Sequence, residues 1–334
     1  MYKISRREFF KYSALAIAGI YTQTRLPVLA NSKSFTPFKF AFVPDLHLSN
    51  YKFDNWILLN ESLLILQDTV KLLNDLDVDF IVFGGDLIDN EQRDYSELPT
   101  LLDLLYTLEK PYYVVMGDRE ARLNNNLSKE DFTVEFRRNG FINRGITCWF
   151  ENPATGLDLI GLDSTIINSK DGEVSPNQLV WLANNLRQNA NNFKIVVLHH
   201  PLNPDSKLNN FYNAPGFRLK NSSAIVDVFD RYQNVDLVLS AHHHVNLINT
   251  RNNVHYINSP SIVTYPCEFR IIEVNNSYIE FKNIAINFKQ MIKKAQESLK
   301  GSKYSEEFPD IKYKELLKLH KGDKKDRDTK IKFE

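Results

Sequence analysis

The stretch VDLVLSAHHHVN (235–246) puts three of the chain's eight histidines in a row, directly after a short and mostly apolar run. Such a run reads as a buried strand. Histidines at the end of a buried strand are core residues, surface residues or metal ligands. The remainder of the chain has to decide between these.

Outward from this stretch the pattern alternates strand and helix. Strands are predicted in FKFAFVPDLH (38–47), VDFIVFGGDLID (78–89), PYYVVMGDRE (111–120), ITCWFE (146–151), LDLIGLDS (157–164) and FKIVVLHHP (193–201). Closing strands follow in HYINSPSIVTY (255–265), FRIIEV (269–274) and YIEFKNIAI (278–286), the last two joined at Asn275-Asn276. Apolar residues at helical spacing predict helices in 56–76, 97–110, 129–140 and 222–232. Another is predicted over 175–188, with Ser175 as N-cap, Pro176 at the first helical position and Gln178 completing a capping box. No internal repeat is evident. Strands alternating with helices, plus extra antiparallel strands, indicate an α/β fold.

Each core strand turns polar just past its C-terminal end. In order, these ends read Asp45-Leu46-His47, Gly85-Asp86, Gly117-Asp118-Arg119-Glu120, His199-His200 and His242-His243-His244. Ligands of α/β sheets bind outside the carboxyl ends of the strands. Five such ends would gather at least three carboxylates and several imidazoles at one rim. Carboxylates so crowded destabilise one another unless cations are bound. Oxygen and imidazole donors without thiolate suit Mn, Fe, Zn or Co.

The whole-chain balance of 41 basic and 41 acidic residues hides a division. Residues 31–288 carry 22 Lys/Arg against 31 Asp/Glu, a net charge of −9. An acidic body argues against duplex nucleic acid as a partner. The two cysteines, Cys148 and Cys267, form no C-x-x-C pair; they read as buried hydrophobes or as one disulfide. Residues 1–30 have a basic start, a short apolar stretch and a small-residue cleavage site ending at Ala30. They resemble a twin-arginine signal in the pattern Ser5-Arg6-Arg7-x-Phe9-x-Lys11. That resemblance implies an exported, periplasmic or extracytoplasmic protein and the twin-arginine export machinery as a partner. Residues 31–288 are expected to form the body, and 289–334 a Lys-rich tail with a frayed amphipathic helix.

The series of strand ends resembles the calcineurin-like metallophosphoesterases, whose motifs run D-x-H, G-D-x-x, G-N-H-D/E, H and G-H-x-H. The resemblance covers about residues 40–270. The stretches 161–186 and 259–274 are most similar to the bacterial branch of cyclic-nucleotide and glycerophosphodiester hydrolases. It implies a four-layer α/β/β/α sandwich and two divalent or mixed-valence metal ions. One ion would be held by Asp45, His47, Asp86 and His244. The other would be held by Asp86, Asp118, His199 and His242, with Asp86 bridging. It also implies hydrolysis of a small phosphate ester, a diester before a monoester, by a metal-bound hydroxide. The alternatives are a phosphomonoesterase, or a metal- or phosphate-binding protein on the same scaffold. Three residues depart from the pattern: Ala241 replaces a glycine, Asp118 an asparagine and Arg119 a histidine. Arg119 and Asp86 are the candidate catalytic residues, and Glu120 a candidate to orient the Arg119 fork. If 242–244 is extended, His242 and His244 point one way and His243 the other. His200 is an outer contact or a structural residue, and His255 and His320 have no site-like neighbours.

Overall fold

The computed structural model describes residues 33–52, 56–142, 146–202, 216–300, 302 and 312–333. The expected signal at 1–30 lies outside these residues. No helix among them is long and apolar enough to cross a membrane.

Two six-stranded sheets form the centre. The first has the order β12-β11-β10-β1-β2-β3. Its strands are β1 (Phe38–Val43), β2 (Phe80–Phe83), β3 (Tyr112–Val114), β10 (Glu268–Val274), β11 (Tyr278–Ala285) and β12 (Thr329–Lys332). Strands β1, β2 and β3 are parallel, and β10 to β12 are added antiparallel. The second sheet has the order β4-β5-β6-β7-β9-β8. Its strands are β4 (Trp149–Glu151), β5 (Leu157–Gly161), β6 (Phe193–Val197), β7 (Leu237–Ser240), β8 (Leu247–Arg251) and β9 (Val254–Asn258), with β5, β6, β7 and β9 parallel.

The period-two alternation of β6 and β7 shows the layering. Ile195, Val197, Leu237 and Leu239 face the core shared with the first sheet. Val196 and Val238 face a second core, with Leu182, Leu186, Ile225 and Phe229 of α4 (Pro176–Leu186) and α5 (Ser222–Tyr232). On the far side, α1 (Ser62–Asp75) and α2 (Leu98–Leu105) bury Ile65, Leu66, Leu73, Leu101 and Leu105 in the core of the first sheet, and the short α3 (Lys129–Glu135) adds Phe132 to it. The result is the expected four-layer α/β/β/α sandwich. A strand such as β7, buried on both faces, cannot carry polar residues until it ends. This is why the sequence turns polar so abruptly after Ser240.

Several elements differ from expectation. The helix of 56–76 begins only at Ser62, because Leu58 N–H donates to Val263 O (2.8 Å) and ties 56–58 to a neighbouring loop. Of the stretch 255–265 only 255–258 is strand, in β9, which begins at Val254. Ser175 does cap α4, accepting from Gln178 N–H (3.3 Å), but the Gln178 side chain bonds both backbone groups of Asp163 instead of closing a capping box. Cys148 and Cys267 are free thiols.

The Lys-rich C-terminal segment is not a solvated tail. In α6 (Lys289–Leu299), Ala295 and Leu299 are buried. In α7 (Tyr313–Lys321), Leu316 and His320 are buried, Leu316 against Val245. After α8 (Lys324–Arg327), β12 pairs with β11 at the sheet edge. The fully buried guanidinium of Arg270 fastens this segment, donating to the carbonyls of Asp326 (3.0 Å) and Arg327 (3.2 Å) and to Asn246 Oδ1 (2.7 Å).

Candidate metal centre

The two sheets meet at the carboxyl ends of β1, β2, β3, β6 and β7. The first sheet supplies Asp45, His47, Asp86 and Asp118, and the second supplies His199, His242 and His244. The loops after β1 and β2 are laced together in parallel: Asp45 N–H donates to Gly85 O (3.0 Å) and His47 N–H to Asp86 O (2.9 Å). Such close lacing needs small residues. A Cβ on Gly117 would lie 2.1 Å from Asp86 Oδ1, and one on Gly85 would lie 2.8 Å from His199 Nδ1. The glycines of the two Gly-Asp pairs are therefore spaces that the site's own side chains fill.

Five of the seven residues have left-handed backbone: Asp45, His47, Asp86, His242 and His244, at φ 54°, 44°, 51°, 65° and 53°. Conformations of this kind cost energy in non-glycine residues and gather at functional sites. The segment 242–244 is thus not extended, which corrects the reason given for its alternation. Two left-handed bends, not a pleat, turn His242 and His244 inward. His243 points elsewhere and donates from Nε2 to Phe217 O (2.6 Å).

The seven side chains form two groups, Asp45/His47/His244 and Asp86/Asp118/His199/His242, with the ligand atoms of each within 4.8 Å of one another. His47 Nε2 and His244 Nε2 are 3.2 Å apart, and His244 Nε2 and Asp45 Oδ1 are 3.6 Å apart. In the second group, His242 Nδ1 lies 3.1 Å from both His199 Nε2 and Asp118 Oδ1. Asp86 stands between the groups, with Oδ2 3.6 Å from His47 Nε2 and Oδ1 3.5 Å from His199 Nε2. Ligands bound at about 2.0–2.1 Å to one tetrahedral or octahedral ion are about 3.0–3.4 Å apart, so these spacings fit.

Three of the outer ring nitrogens have hydrogen-bond partners. His199 Nδ1 donates to Gly84 O (2.9 Å) and His242 Nε2 to Gly216 O (3.2 Å), and His244 Nδ1 and Thr264 Oγ1 are 3.2 Å apart. His47 Nδ1 lies 3.4 Å from Asp89 Oδ1. The carbonyl partners leave the opposite nitrogen of His199 and of His242 as the one that faces the cluster, the arrangement that fixes histidines for metal binding. Carboxylates and imidazoles without thiolate match the donor set expected for Mn, Fe, Zn or Co.

Without cations this cluster is electrostatically strained. Burial, added to Asp86 and Asp118, holds Asp45 well above the usual carboxylate range. Burial alone would lower the His199 pKa, but Asp86, Asp118 and Asp45 outweigh it and push it up to about 10. His199 is then protonated at neutral pH in the metal-free protein and must lose that proton to become a ligand. Cation uptake at pH 7 is expected to release about one proton from His199, and affinity to rise with pH up to about 10. Calorimetry in buffers of different ionisation heat checks this. In the metal-free form the protonated ring contributes stability that is complete below its usual 6.5 and fades as pH rises through about 10.

Residues 38–246 match the calcineurin-like phosphoesterase family. The chain belongs to that family. With it comes membership of the metal-dependent phosphoester hydrolases, a family with binuclear centres. A probable cyclic nucleotide phosphodiesterase of Ruthia magnifica is 25% identical over 222 residues, covering 66% of this chain and 85% of that protein. A 3',5'-cyclic-nucleotide phosphodiesterase of a Nostoc species is 28% identical over 231 residues, covering 67% and 78%. Among solved structures, a dimetal phosphatase from Danio rerio superposes with a TM-score of 0.62 at 19% identity, covering 74% of this chain and 96% of that one. This last likeness is one of fold.

The departures from the calcineurin-like pattern now have physical settings. Ala241 is fully buried and is not among the residues with left-handed backbone, so its methyl is accommodated without strain. Arg119 lies at the cluster's edge, its Nε 3.9 Å from Asp86 Oδ2 and its Nη1 3.1 Å from Asp89 Oδ1. Asp89, three residues after Asp86 in GDLID, thus touches both His47 and Arg119; sequence reading missed it. Glu120 does not orient Arg119. It turns inward and accepts from the N–H groups of Asp86, Leu87, Ile88 and Gly117, between 2.7 and 3.2 Å, clamping the loops after β2 and β3. Burial, with Asp86 alongside, pushes its carboxyl up to about 7.

His200 is structural: its N–H and Nδ1 meet Ser164 Oγ, and Nε2 donates to Lys170 O. His255 pairs with Thr250 on the surface hairpin. His320 overturns expectation. It donates from Nδ1 to His244 O (2.8 Å) and packs by Trp56, whose ring lies 5.1 Å from that of His244. The C-terminal segment therefore braces the loop that carries His244.

These placements separate the adjacent histidines. His244→Ala is expected to lower metal content. His243→Ala is expected to retain metal but lose about 1–3 kcal/mol of stability, because Phe217 O loses its buried donor. Metal analysis beside thermal denaturation distinguishes the two. Metal loss from His243→Ala with retention in His244→Ala would reverse the assignment.

Proposed function

We propose that the chain hydrolyses phosphodiesters, with one cation held by Asp45, His47, Asp86 and His244 and a second by Asp86, Asp118, His199 and His242. The observation that carries this reading is Asp86, whose two oxygens face the two groups from 3.6 and 3.5 Å. A pair of cations bound there supplies an acidified water as nucleophile and neutralises charge on the phosphoryl oxygens. The protein's own part is orientation. Asp86 would set the spacing, the carbonyl partners of His199 and His242 fix which ring nitrogen faces the cluster, and Arg119 places a permanently protonated fork at its edge. Diesters are favoured over monoesters because the two relatives described above are named as cyclic nucleotide phosphodiesterases.

The deciding experiment measures turnover of bis(p-nitrophenyl) phosphate and p-nitrophenyl phosphate after loading with Mn, Fe, Zn or Co. Metal-dependent cleavage of the diester in preference to the monoester is expected. Preference for the monoester would make the protein a phosphomonoesterase. Residues 1–30 are proposed to direct export, so that changing Arg6 and Arg7 to lysine retains the precursor in the cell. Unchanged export of that variant would remove the twin-arginine reading.

A further inference from the structure

Two guanidiniums, not one, border the cluster. Arg119 Nε is 3.9 Å from Asp86 Oδ2, and Arg122 Nε is 4.0 Å from Asp118 Oδ2. Their side chains are 15% and 17% exposed, so both are mostly buried yet still reach solvent. Their backbones are held together. Arg122 N–H donates to Arg119 O (3.1 Å), and the buried Asn90 amide donates to the carbonyls of both Arg119 (3.0 Å) and Arg122 (2.7 Å).

The counter-charges are unequal. Asp89 is buried and meets Arg119 from inside at 3.1 Å. From outside, one oxygen serves both forks. Glu91 Oε2 lies 3.1 Å from Arg122 Nη1 and 3.8 Å from Arg119 Nη1, on a side chain that is 61% exposed. An exposed carboxylate of this kind is weakly held. A phosphate in its place could engage both forks through several oxygens.

We propose that Arg119 and Arg122 bind a second phosphate of the substrate, next to the ester that is cleaved, and that Glu91 occupies the two forks until that phosphate arrives. This rests on the phosphodiester reading above and narrows its substrate class to diesters bearing a further phosphate.

The test compares p-nitrophenyl thymidine phosphate with the same diester carrying a further phosphate on the sugar. Leaving group and nucleoside are then constant. In the wild-type protein the added phosphate is expected to raise kcat/KM by about tenfold, through KM, an advantage that shrinks with salt. Arg122→Gln should bring the ratio of the two substrates to about one, and Arg122→Lys should restore part of it, since the charge remains and the fork is lost. Glu91→Gln should enlarge the ratio by removing the competing carboxylate. If Arg122→Gln fails to fold, Glu91→Gln alone decides. A wild-type ratio near one, or a ratio unchanged by Arg122→Gln or by Glu91→Gln, overturns the proposal. Failure of metal-loaded wild type to cleave either diester overturns the proposed function instead.

Discussion

Asp86→Asn is expected to leave a folded protein that has lost metal and at least about a thousandfold in kcat on bis(p-nitrophenyl) phosphate, an effect of several kcal/mol. Asparagine keeps one acceptor oxygen but gives up the charge and the second oxygen. The two groups that Asp86 faces would lose their common ligand. The fold should tolerate the change. Asparagine is among the few residues that accept left-handed backbone, which Asp86 adopts at φ 51°. Its Oδ1 can still accept the Arg119 N–H that Asp86 Oδ1 now receives at 2.9 Å. In the metal-free protein the change relieves repulsion on Asp45 and Glu120 but also withdraws the leading attraction on protonated His199, so metal content and activity are the readouts and not stability. Retention of two ions per chain with activity within about tenfold of wild type would remove Asp86 as the bridge.

Arg119→His has the second large expected effect, and it is selective. Where the family pattern has a histidine, this chain has a guanidinium that cannot donate its proton at working pH. Without a general acid, cleavage slows most where the leaving group is basic, typically by about 10²–10⁴-fold. The wild-type protein should therefore cut nitrophenyl diesters readily and alkyl diesters poorly. In Arg119→His the alkyl diesters should gain on the nitrophenyl ones, with Asp89, now 3.1 Å from Arg119 Nη1, available to steady the new imidazole. Diesters without a second phosphate keep this comparison clear of the two-guanidinium site. Equal losses on both substrates would mean that Arg119 holds phosphate oxygens and that the missing acid is not what limits the reaction.

How far the sequence reaches can be judged from particular residues. Asp45, His47, Asp86, His199, His242 and His244 were legible as candidates because each follows a strand that is almost wholly buried, and Asp118 because it follows the apolar run Val114-Val115-Met116 at the end of the edge strand β3. Polar residues are rare within such strands (Lys194 and Asp158, buried against each other, are the exception in β6 and β5) and return in number where the chain leaves the core. Asp89 had a faint signal, one more acid at a strand end, but nothing separated it from a surface residue. Glu120 was misread because adjacency in sequence says little about direction; its carboxylate went to four backbone N–H groups that no pattern announces. The C-terminal segment was misjudged because its many lysines lie on the outer faces. The buried pairs Ala295/Leu299 and Leu316/His320, each four residues apart, are short enough to be outvoted by composition.

The sequence by itself determined the α/β class, the burial of the central strands and the five polar strand ends, which follow from hydrophobic period and from the cost of burying polar groups, both of which are local properties. The choice of seven residues among those at the strand ends came from the resemblance to the calcineurin-like pattern. The tertiary structure alone decided that the seven residues come from two different sheets, that left-handed bends aim them, and that Asp86 falls between the groups. It alone placed Arg122 and Glu91 beside Arg119, and brought His320 to the back of the His244 loop. Apart from Arg119 and Arg122, which share one turn, these are contacts between residues tens to hundreds of positions apart. They are set by how two twisted sheets close on each other, and no periodicity within one segment encodes that closure.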